Sequence, residues 1–254
     1  MKKYLILATL ILLNATNSNA SETCTIIADR KSDKIILSNG ECKTRYTPAS
    51  TFKFPLAIIG FDSGILKDGD VPKWKYRKNY VVNTENDILD TTPKAWLKNS
   101  VVWYSQKLTK KLGLSKFENY IQKFDYGNQD LSGNTGKNDG LTNSWLSSSL
   151  KISPQEQLQF INKFLDKKLE VSAESYSKTY SSMPVFETKN GWKIYGKTGS
   201  GKENNLPLGW FIGWAEKKNK TLTFVKLIKF DKPITGFAGP FARDETLKDF
   251  EKLK

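Results

Sequence analysis

The most informative segment of this sequence is Pro48-Ala49-Ser50-Thr51-Phe52-Lys53-Phe54-Pro55-Leu56-Ala57-Ile58-Ile59. Residues three positions apart lie on one face of a helix, so the spacing brings the Ser50 hydroxyl close to the Lys53 amine. Pro55 is compatible with the first turn of such a helix. A serine attacks a carbonyl only when a base takes its proton, and a lysine among apolar side chains can lose its charge and act as that base. The segment therefore predicts a buried helix that carries a nucleophile.

The Ser-x-x-Lys spacing alone is not specific. It occurs twice more, at Ser148/Lys151 and Ser175/Lys178, where it is typical of an ordinary helix surface. The pair at Ser50 differs because its neighbours are apolar, namely Phe52, Phe54 and Leu56. Context therefore favours Ser50 over the other two serines.

The N-terminal segment has the pattern of an export signal. Lys2 and Lys3 precede an apolar run over 4–13, and Ser18-Asn19-Ala20 supplies the small residues of a cleavage site. The run is too short to favour a membrane span, and no later stretch is continuously apolar. We expect cleavage after residue 20, a periplasmic protein without a stable membrane anchor, and one catalytic domain over 21–254.

The composition excludes several kinds of site. The chain has no histidine and only two cysteines, which rules out a Ser-His-Asp triad and a histidine-ligated zinc, so we expect no metal. Its formal net charge is +14, and residues 1–20 contribute two lysines and no acids, so the remaining 234 of the 254 residues carry +12. The lysines are interspersed with acids and form no run of five, which indicates a solvated basic surface rather than a nucleic-acid interface.

Cys24 and Cys42 flank a predicted β-hairpin. An alternating stretch over 25–28 and an apolar stretch over 34–37 surround a polar turn at 29–33. If the two cysteines are opposite each other, the hairpin is centred on Asp33. An oxidising compartment and an even cysteine count favour a Cys24–Cys42 disulfide, and two free thiols are the alternative.

Helices fill the middle of the chain and strands its C-terminal part. The helix of Ser50 is expected to end near Ser63-Gly64, and the Gly- and Asn-rich stretch 129–143 is expected to be a long loop. Early and late strands could share one sheet, which makes the fold class α+β. Further helices are predicted at 93–112 in two pieces, 115–124, 154–165, 172–181 and 241–254, and strands at 192–197, 209–216 and 221–230.

Lys197-Thr198-Gly199 follows the alternating strand that begins at Trp192. It combines a cation, a hydroxyl and a backbone without a side chain, which suits the binding of a substrate carboxylate. With an earlier Ser-x-x-Lys in an exported chain that lacks histidine, it points to the serine enzymes that act on penicillins.

From Ser50 to Arg243 the sequence resembles the class D, oxacillinase-type β-lactamases. The resemblance implies a fold like that of serine β-lactamases and penicillin-binding transpeptidases, with an antiparallel sheet flanked by helices and a helical subdomain at roughly 65–185. It also implies β-lactam antibiotics as small-molecule substrates. The segments that carry it, in the family's order, are Pro48-Ala49-Ser50-Thr51-Phe52-Lys53, Ser100-Val101-Val102, Tyr126-Gly127-Asn128, Trp145-Leu146, Leu150-Lys151-Ile152-Ser153, Gly196-Lys197-Thr198-Gly199 and Gly209-Trp210-Phe211-Ile212-Gly213-Trp214.

The resemblance also implies a role for each matching residue. Ser50 is expected to form the acyl-enzyme, with its own N–H and that of Ser200 binding the oxyanion. Lys53 is expected to be N-carboxylated by CO2, with no other cofactor, and to be the general base, steadied by the Trp145 indole N–H. Ser100 and Lys197 are expected to pass a proton to the leaving nitrogen. Substrate-binding roles are expected for Val102, Thr198, Gly199, Ser200 and Arg243. Ser200 departs from several relatives, which have an aromatic residue there.

Three other functions remain open at this stage. The β-lactam sensor domain of a membrane receptor resembles class D but stops at the acyl-enzyme, and a penicillin-binding peptidase acts on cell-wall peptides. A non-catalytic cell-wall binder is the third. The substrate spectrum, which we expect to depend on loops at 129–143 and 201–207, and the state as monomer or homodimer are also open.

Overall fold

The computed structural model describes residues 20–253. The predicted signal segment therefore lies outside this range, apart from Ala20. One antiparallel sheet has the strand order β2-β1-β6-β5-β4-β3. Its strands are β1 Ala20–Asp29, β2 Ile35–Gly40, β3 Val185–Glu187, β4 Lys193–Glu203, β5 Leu206–Lys217 and β6 Lys220–Phe230. The prediction that early and late strands share one sheet is confirmed, since β1 pairs with β6.

The predicted N-terminal hairpin is present with a shifted register. Cys24 lies opposite Gly40 rather than Cys42, so the hairpin is centred one residue before Asp33. A bulge between Ile27 and Ala28 interrupts the ladder. Cys42 lies beyond the end of β2, and the chain turns back there so that the Cys24–Cys42 disulfide forms across a Cα–Cα distance of 5.1 Å. The predicted disulfide is confirmed, and the predicted register is wrong.

The stretch 201–207, which we expected to be a loop, is a tight hairpin. β4 continues to Glu203 and β5 begins at Leu206, so the turn consists of Asn204 and Asn205. Both have positive φ, 51° and 63°, as a two-residue type I′ turn requires, and asparagine tolerates this conformation. As a result, Lys197-Thr198-Gly199 lies in the middle of a strand rather than at its end. The three-residue strand β3 has no sequence pattern long enough to predict it.

The predicted helices are present with small shifts at their ends. Ser153 and Glu156 form the expected capping box, while a short helix occurs within the expected loop 129–143. The grouping of the helices between residues 65 and 185 into a subdomain stays a prediction. The bounds are α1 Lys53–Asp62, α2 Pro93–Asn99, α3 Val102–Leu112, α4 Leu114–Phe124, α5 Gly140–Asn143, α6 Pro154–Leu165, α7 Ala173–Ser182 and α8 Ala238–Lys252.

Helix α1 lies at the centre of the protein. Nine of its ten residues are buried, which explains the continuous apolar run in its sequence. A 3₁₀ turn, Ala49–Phe52, leads directly into it. A large apolar cluster surrounds α1 on one face of the sheet, and a smaller one fills the opposite face beneath α8. No helix between residues 20 and 253 has both the length and the apolar composition needed to cross a membrane.

Candidate active site

The Ser50 hydroxyl and the Lys53 amine are in direct contact. Lys53 Nζ lies 2.8 Å from Ser50 Oγ. Ser50 lies in the 3₁₀ turn and Lys53 is the first residue of α1, so the two side chains leave the same face one turn apart. Ser50 is partly exposed, whereas Lys53 is fully buried. The arrangement joins an accessible hydroxyl to a buried amine.

The surroundings of Lys53 disfavour its charge. Burial lowers the pKa of Lys53 from 10.5 to about 7, and the carboxylate of Asp87 opposes this shift in part. Next to Lys53 in sequence, Phe52 stacks on Trp145 with ring centroids 5.3 Å apart and packs against Phe117 and Tyr126. A large fraction of the Lys53 amines is therefore neutral near pH 7.

The other two Ser-x-x-Lys pairs have different partners. Lys151 forms an ion pair with Glu203, and Lys178 forms one with Glu174. The Ser175 hydroxyl donates to the backbone oxygen of Ile58. Neither lysine is buried, so neither can act as the base proposed for Lys53.

A second serine–lysine pair lies between α2 and β4. Lys197 Nζ is 2.8 Å from Ser100 Oγ and donates to the backbone oxygen of Thr198 at 3.0 Å. Ser100 ends α2 in the left-handed conformation, with φ 63°, which is unusual for a serine and is often found at functional positions. Burial, followed by the charge of Lys53, lowers the pKa of Lys197. The site thus contains two hydroxyls, each paired with a buried amine.

A cavity of about 430 Å³ opens onto the Ser50 hydroxyl. Ser50, Ser100, Val102, Thr198, Ser200 and Arg243 line it, so it unites six of the predicted residues. Lys53, Trp145 and Lys197 lie behind its wall and are buried. Two exposed apolar side chains, Val81 and Phe237, also line this cavity, and they are far apart in sequence.

Gly199 faces the 3₁₀ turn rather than the cavity. A Cβ on Gly199 would lie 2.9 Å from the Pro48 oxygen and 3.1 Å from the Thr51 nitrogen, so only glycine lets β4 approach the Ser50 turn this closely. The neighbouring Ser200 accepts a hydrogen bond from the N–H of Gly239 at 2.8 Å. Ser200 therefore ties β4 to the start of α8.

Arg243 reaches the cavity from α8. Its guanidinium packs over the Phe186 ring at 5.4 Å, and its Nε and Nη2 both contact one oxygen of Asp244 at 2.8 Å. The side chain retains 30% of its exposure. Its remaining donors are available to a ligand, although Asp244 offsets part of its charge.

Trp145 is fully buried, and its indole N–H has no hydrogen-bond partner among the described residues. The Trp145 ring lies against Phe52, the residue before Lys53. Its backbone is fixed, because Thr47 Oγ1 donates to the Trp145 oxygen and accepts from the Ser147 N–H, each at 3.0 Å. A buried donor without an acceptor is costly, so the Trp145 N–H is free to donate to a group bound within its reach.

Sequence reasoning missed two residues that support the site. Asp87 is buried, lines the Ser50 cavity and accepts the N–H groups of Asn83 and Thr84 at 2.7 and 2.9 Å. Gln157 donates to Thr51 Oγ1 at 2.9 Å, next to Ser50. Asp87 forms a capping box with Thr84, a pattern that predicts a helix start but not a position at the cavity, and Gln157 acts through a contact with a segment distant in sequence.

Tyr126-Gly127-Asn128 forms the turn after α4 and holds the segment that follows Trp145. The Asn128 side chain donates to the Ser149 oxygen at 2.8 Å and accepts the Lys151 N–H at 2.8 Å. Gly127 has φ 60°, and a Cβ there would lie 2.1 Å from the Lys151 oxygen. The motif therefore supports the site without lining the cavity.

Comparison with known proteins agrees with this geometry. The family model "Penicillin binding protein transpeptidase domain" matches residues 9–250. β-Lactamase OXA-9 of Klebsiella pneumoniae is 44% identical over 244 residues, which cover 89% of each chain. The crystal structure of the class D β-lactamase OXA-427 matches with a TM-score of 0.84 at 42% identity, covering 90% of this chain and 97% of that one. The chain belongs to the class D β-lactamase family.

The family resemblance and the transpeptidase-like fold predicted from the sequence are thus confirmed. The methicillin resistance mecR1 protein of Staphylococcus aureus is also similar to this chain. It is 30% identical over 226 residues, which cover 89% of this chain but only 37% of that protein. This chain therefore matches OXA-9 at higher identity and over most of the length of both proteins, whereas it matches only about a third of the mecR1 protein.

Proposed function

We propose that this protein hydrolyses β-lactam antibiotics of the penicillin type through an acyl-enzyme on Ser50. The observation that carries the proposal is the 2.8 Å contact between Ser50 Oγ and the buried Lys53 amine, whose pKa is lowered to about 7. A neutral base next to an accessible hydroxyl is the requirement for nucleophilic catalysis by serine.

In acylation, Ser50 Oγ bonds to the lactam carbonyl carbon as its proton passes to the base. The carbonyl oxygen becomes an oxyanion and needs N–H donors. The Gly196 N–H donates to the Pro184 oxygen at the edge of β4 that faces β3, and because N–H directions alternate along a strand, the Ser200 N–H points to the same edge. This alternation supports Ser200 as one oxyanion donor, and the Ser50 N–H is the other donor of the proposal.

When the C–N bond of the ring breaks, the nitrogen needs a proton. Ser100, with Lys197 at 2.8 Å, is placed to deliver it. Thr198 and Arg243 line the same cavity and bind the substrate carboxylate, Arg243 through its forked donors. Val102 contributes an apolar wall. Water then cleaves the Ser50 ester and regenerates the hydroxyl.

Two features fit a CO2-derived carbamate on Lys53. CO2 adds only to a neutral amine, which the lowered pKa of Lys53 provides, and the Trp145 ring, which packs against the neighbouring Phe52, carries a buried N–H without a partner among the described residues. When present, this group supplies a carboxylate-like base beside Ser50. Lys53 and Trp145 are the residues that would hold it.

The test is a benzylpenicillin hydrolysis time course with substrate in large excess, with and without bicarbonate. We expect sustained turnover that bicarbonate increases and that Ser50→Ala abolishes. Ser148→Ala, which alters a serine of the same spacing, should hydrolyse at the wild-type rate. One equivalent of product followed by a halt would instead identify a receptor-type domain that stops at the acyl-enzyme.

We also propose that residues 1–20 are a cleavable export signal and that the mature protein is periplasmic. The supporting observations are the sequence pattern of this segment and the disulfide, which requires an oxidising compartment. N-terminal sequencing of the protein from a periplasmic extract tests this proposal, and Ser21 should be the first residue. Sedimentation equilibrium distinguishes monomer from homodimer.

A further inference from the structure

A second cavity, of about 470 Å³, adjoins the Ser50 cavity. Lys98, Asn99, Thr198 and Arg243 line both, so the two spaces meet at the residues proposed to bind the substrate carboxylate. The rest of the second cavity is formed by α2, by the continuous segment from the end of α7 into β3, and by the start of β4.

The charged lining of the second cavity is basic. Lys94, Lys98 and Arg243 line it together with the buried Lys197, and no acidic residue of the described range does. Asp244 pairs with Arg243, but Lys94 and Lys98 are exposed on α2 and have no ion pair within residues 20–253. Cations lining a concave space create a positive potential that attracts anions.

The same cavity has an apolar wall. It is formed by Leu97 of α2 and by the segment Met183-Pro184-Val185-Phe186. An inorganic anion would leave this wall uncovered, whereas an anionic group on an organic arm would contact both the wall and the lysines. The lining therefore fits an organic anion better than a free ion.

We propose that the second cavity receives an anionic substituent carried on the ring carbon next to the substrate carboxylate, as at C3 of a cephalosporin, and that Lys94 selects for its charge. The inference rests on the proposed function, because the ring carboxylate at Thr198 and Arg243 brings the neighbouring carbon to the junction of the cavities. Lys94 lines only the second cavity, so its effect is separable from binding of the ring carboxylate itself.

The experiment compares two cephalosporins that share one 7-acyl chain. One carries –CH2–S–CH2–COO⁻ at C3 and the other the neutral amide –CH2–S–CH2–CONH2. Each is measured as a competitive inhibitor of benzylpenicillin hydrolysis, so that cephalosporin turnover is not required. Wild type, Lys94→Met and Lys94→Glu are compared with Lys116→Met, which removes an exposed lysine of α4 that lines neither cavity.

We expect the wild type to bind the carboxylate more tightly than the amide. Lys94→Met should lower this ratio about two- to fivefold, the size typical of an exposed charge pair, and Lys94→Glu should lower it further. Met keeps the stem that lies against Gly69, so folding should be preserved. Lys116→Met should keep the wild-type ratio, and benzylpenicillin hydrolysis should be unchanged in all variants.

An unchanged ratio in both Lys94 variants would overturn the inference, as would an equal loss in Lys116→Met, which would indicate a general surface-charge effect. Failure of the proposed function has a different signature. In that case the wild type would not hydrolyse benzylpenicillin at all, irrespective of Lys94.

Discussion

At the scale of single residues, the proposed mechanism depends on Lys53 being neutral. Burial lowers its pKa to about 7, and the opposing effect of Asp87 keeps it from falling further. The balance matters because a protonated lysine can neither accept the Ser50 proton nor react with CO2.

The acidic limb of the kcat/KM profile for benzylpenicillin should therefore fall near pH 7, with activity rising as Lys53 loses its proton. Asp87→Asn removes a charge that raises the pKa of Lys53, so the limb should move to lower pH. Asp139→Asn is the control. Asp139 also accepts hydrogen bonds in a turn, but it is not among the groups that shift the pKa of Lys53. A limb that stays in place in Asp87→Asn would contradict the assignment to Lys53.

The buried amine also has a cost in stability. A lysine with a pKa of about 7 when folded and 10.5 when unfolded binds more protons in the unfolded state between those values, so stability rises with pH across that window. Lys53→Met should be inactive but more stable than wild type by a few kcal/mol below pH 7, with the difference shrinking towards pH 10. Urea unfolding at several pH values measures it, and a pH-independent difference would exclude the titration of Lys53 as the cause.

Trp145 should contribute to activity through its indole N–H. Trp145→Phe keeps an aromatic ring but removes the unpartnered donor, so kcat should fall at least about tenfold and the bicarbonate requirement should rise. Trp192→Phe is a matched control, since its indole N–H is also buried without a partner among the described residues but lies in the other apolar cluster. Equal losses of activity in both variants would indicate a packing effect instead.

At the scale of elements, the position of α8 against the sheet determines where Arg243 lies. Gly209 in β5 permits this contact, because a Cβ there would lie 2.2 Å from the Ala238 oxygen at the start of α8. The hydrogen bond from Gly239 to Ser200 secures the same end of the helix. Two small contacts thus couple β4 and β5 to Arg243, the arginine proposed to bind the substrate carboxylate.

Gly209→Ala should displace the start of α8 and raise KM for benzylpenicillin several-fold, with a loss of about 1–3 kcal/mol in stability from overpacking. If the effect on KM acts through Arg243, it should disappear when Gly209→Ala is made in an Arg243→Ala background. Additive effects on KM in the double variant would show that Gly209 acts by another route.

At the scale of the whole molecule, β1 connects the N-terminal hairpin to the C-terminal strands of the sheet. It pairs with β6 on one side and with the edge strand β2 on the other, and the disulfide fastens the β1–β2 hairpin. The cysteines line neither cavity. The bridge should therefore affect stability rather than catalysis.

Replacing both Cys24 and Cys42 by alanine should lower the free energy of unfolding by about 3 kcal/mol and leave kcat/KM unchanged. This is the size expected when a covalent link between residues 18 positions apart is removed. Chemical denaturation with and without dithiothreitol measures the effect. The reductant should destabilise the wild type and leave the double variant unaffected. A parallel loss of kcat/KM would show that the hairpin influences the site.

Much of the fold followed from local patterns. The α1 helix, the capping box at Ser153 and the order of helices and strands were predicted because helix periodicity and caps are properties of neighbouring residues. The register of the first hairpin and the extent of β4 were not, because a bulge at Ile27 and a turn at Asn204 shift pairing without changing the alternation that a sequence displays.

The sequence by itself determined the chemistry available: a serine and a lysine one turn apart, a second lysine in Lys197-Thr198-Gly199, and no histidine to serve in their place. The tertiary structure alone decided which Ser-x-x-Lys pair is buried, how far the Lys53 pKa falls, and that Asp87 and Lys94 lie at the cavities. The physical reason is that desolvation and electrostatic potential depend on every atom packed around a group, and most of those atoms come from segments distant in sequence.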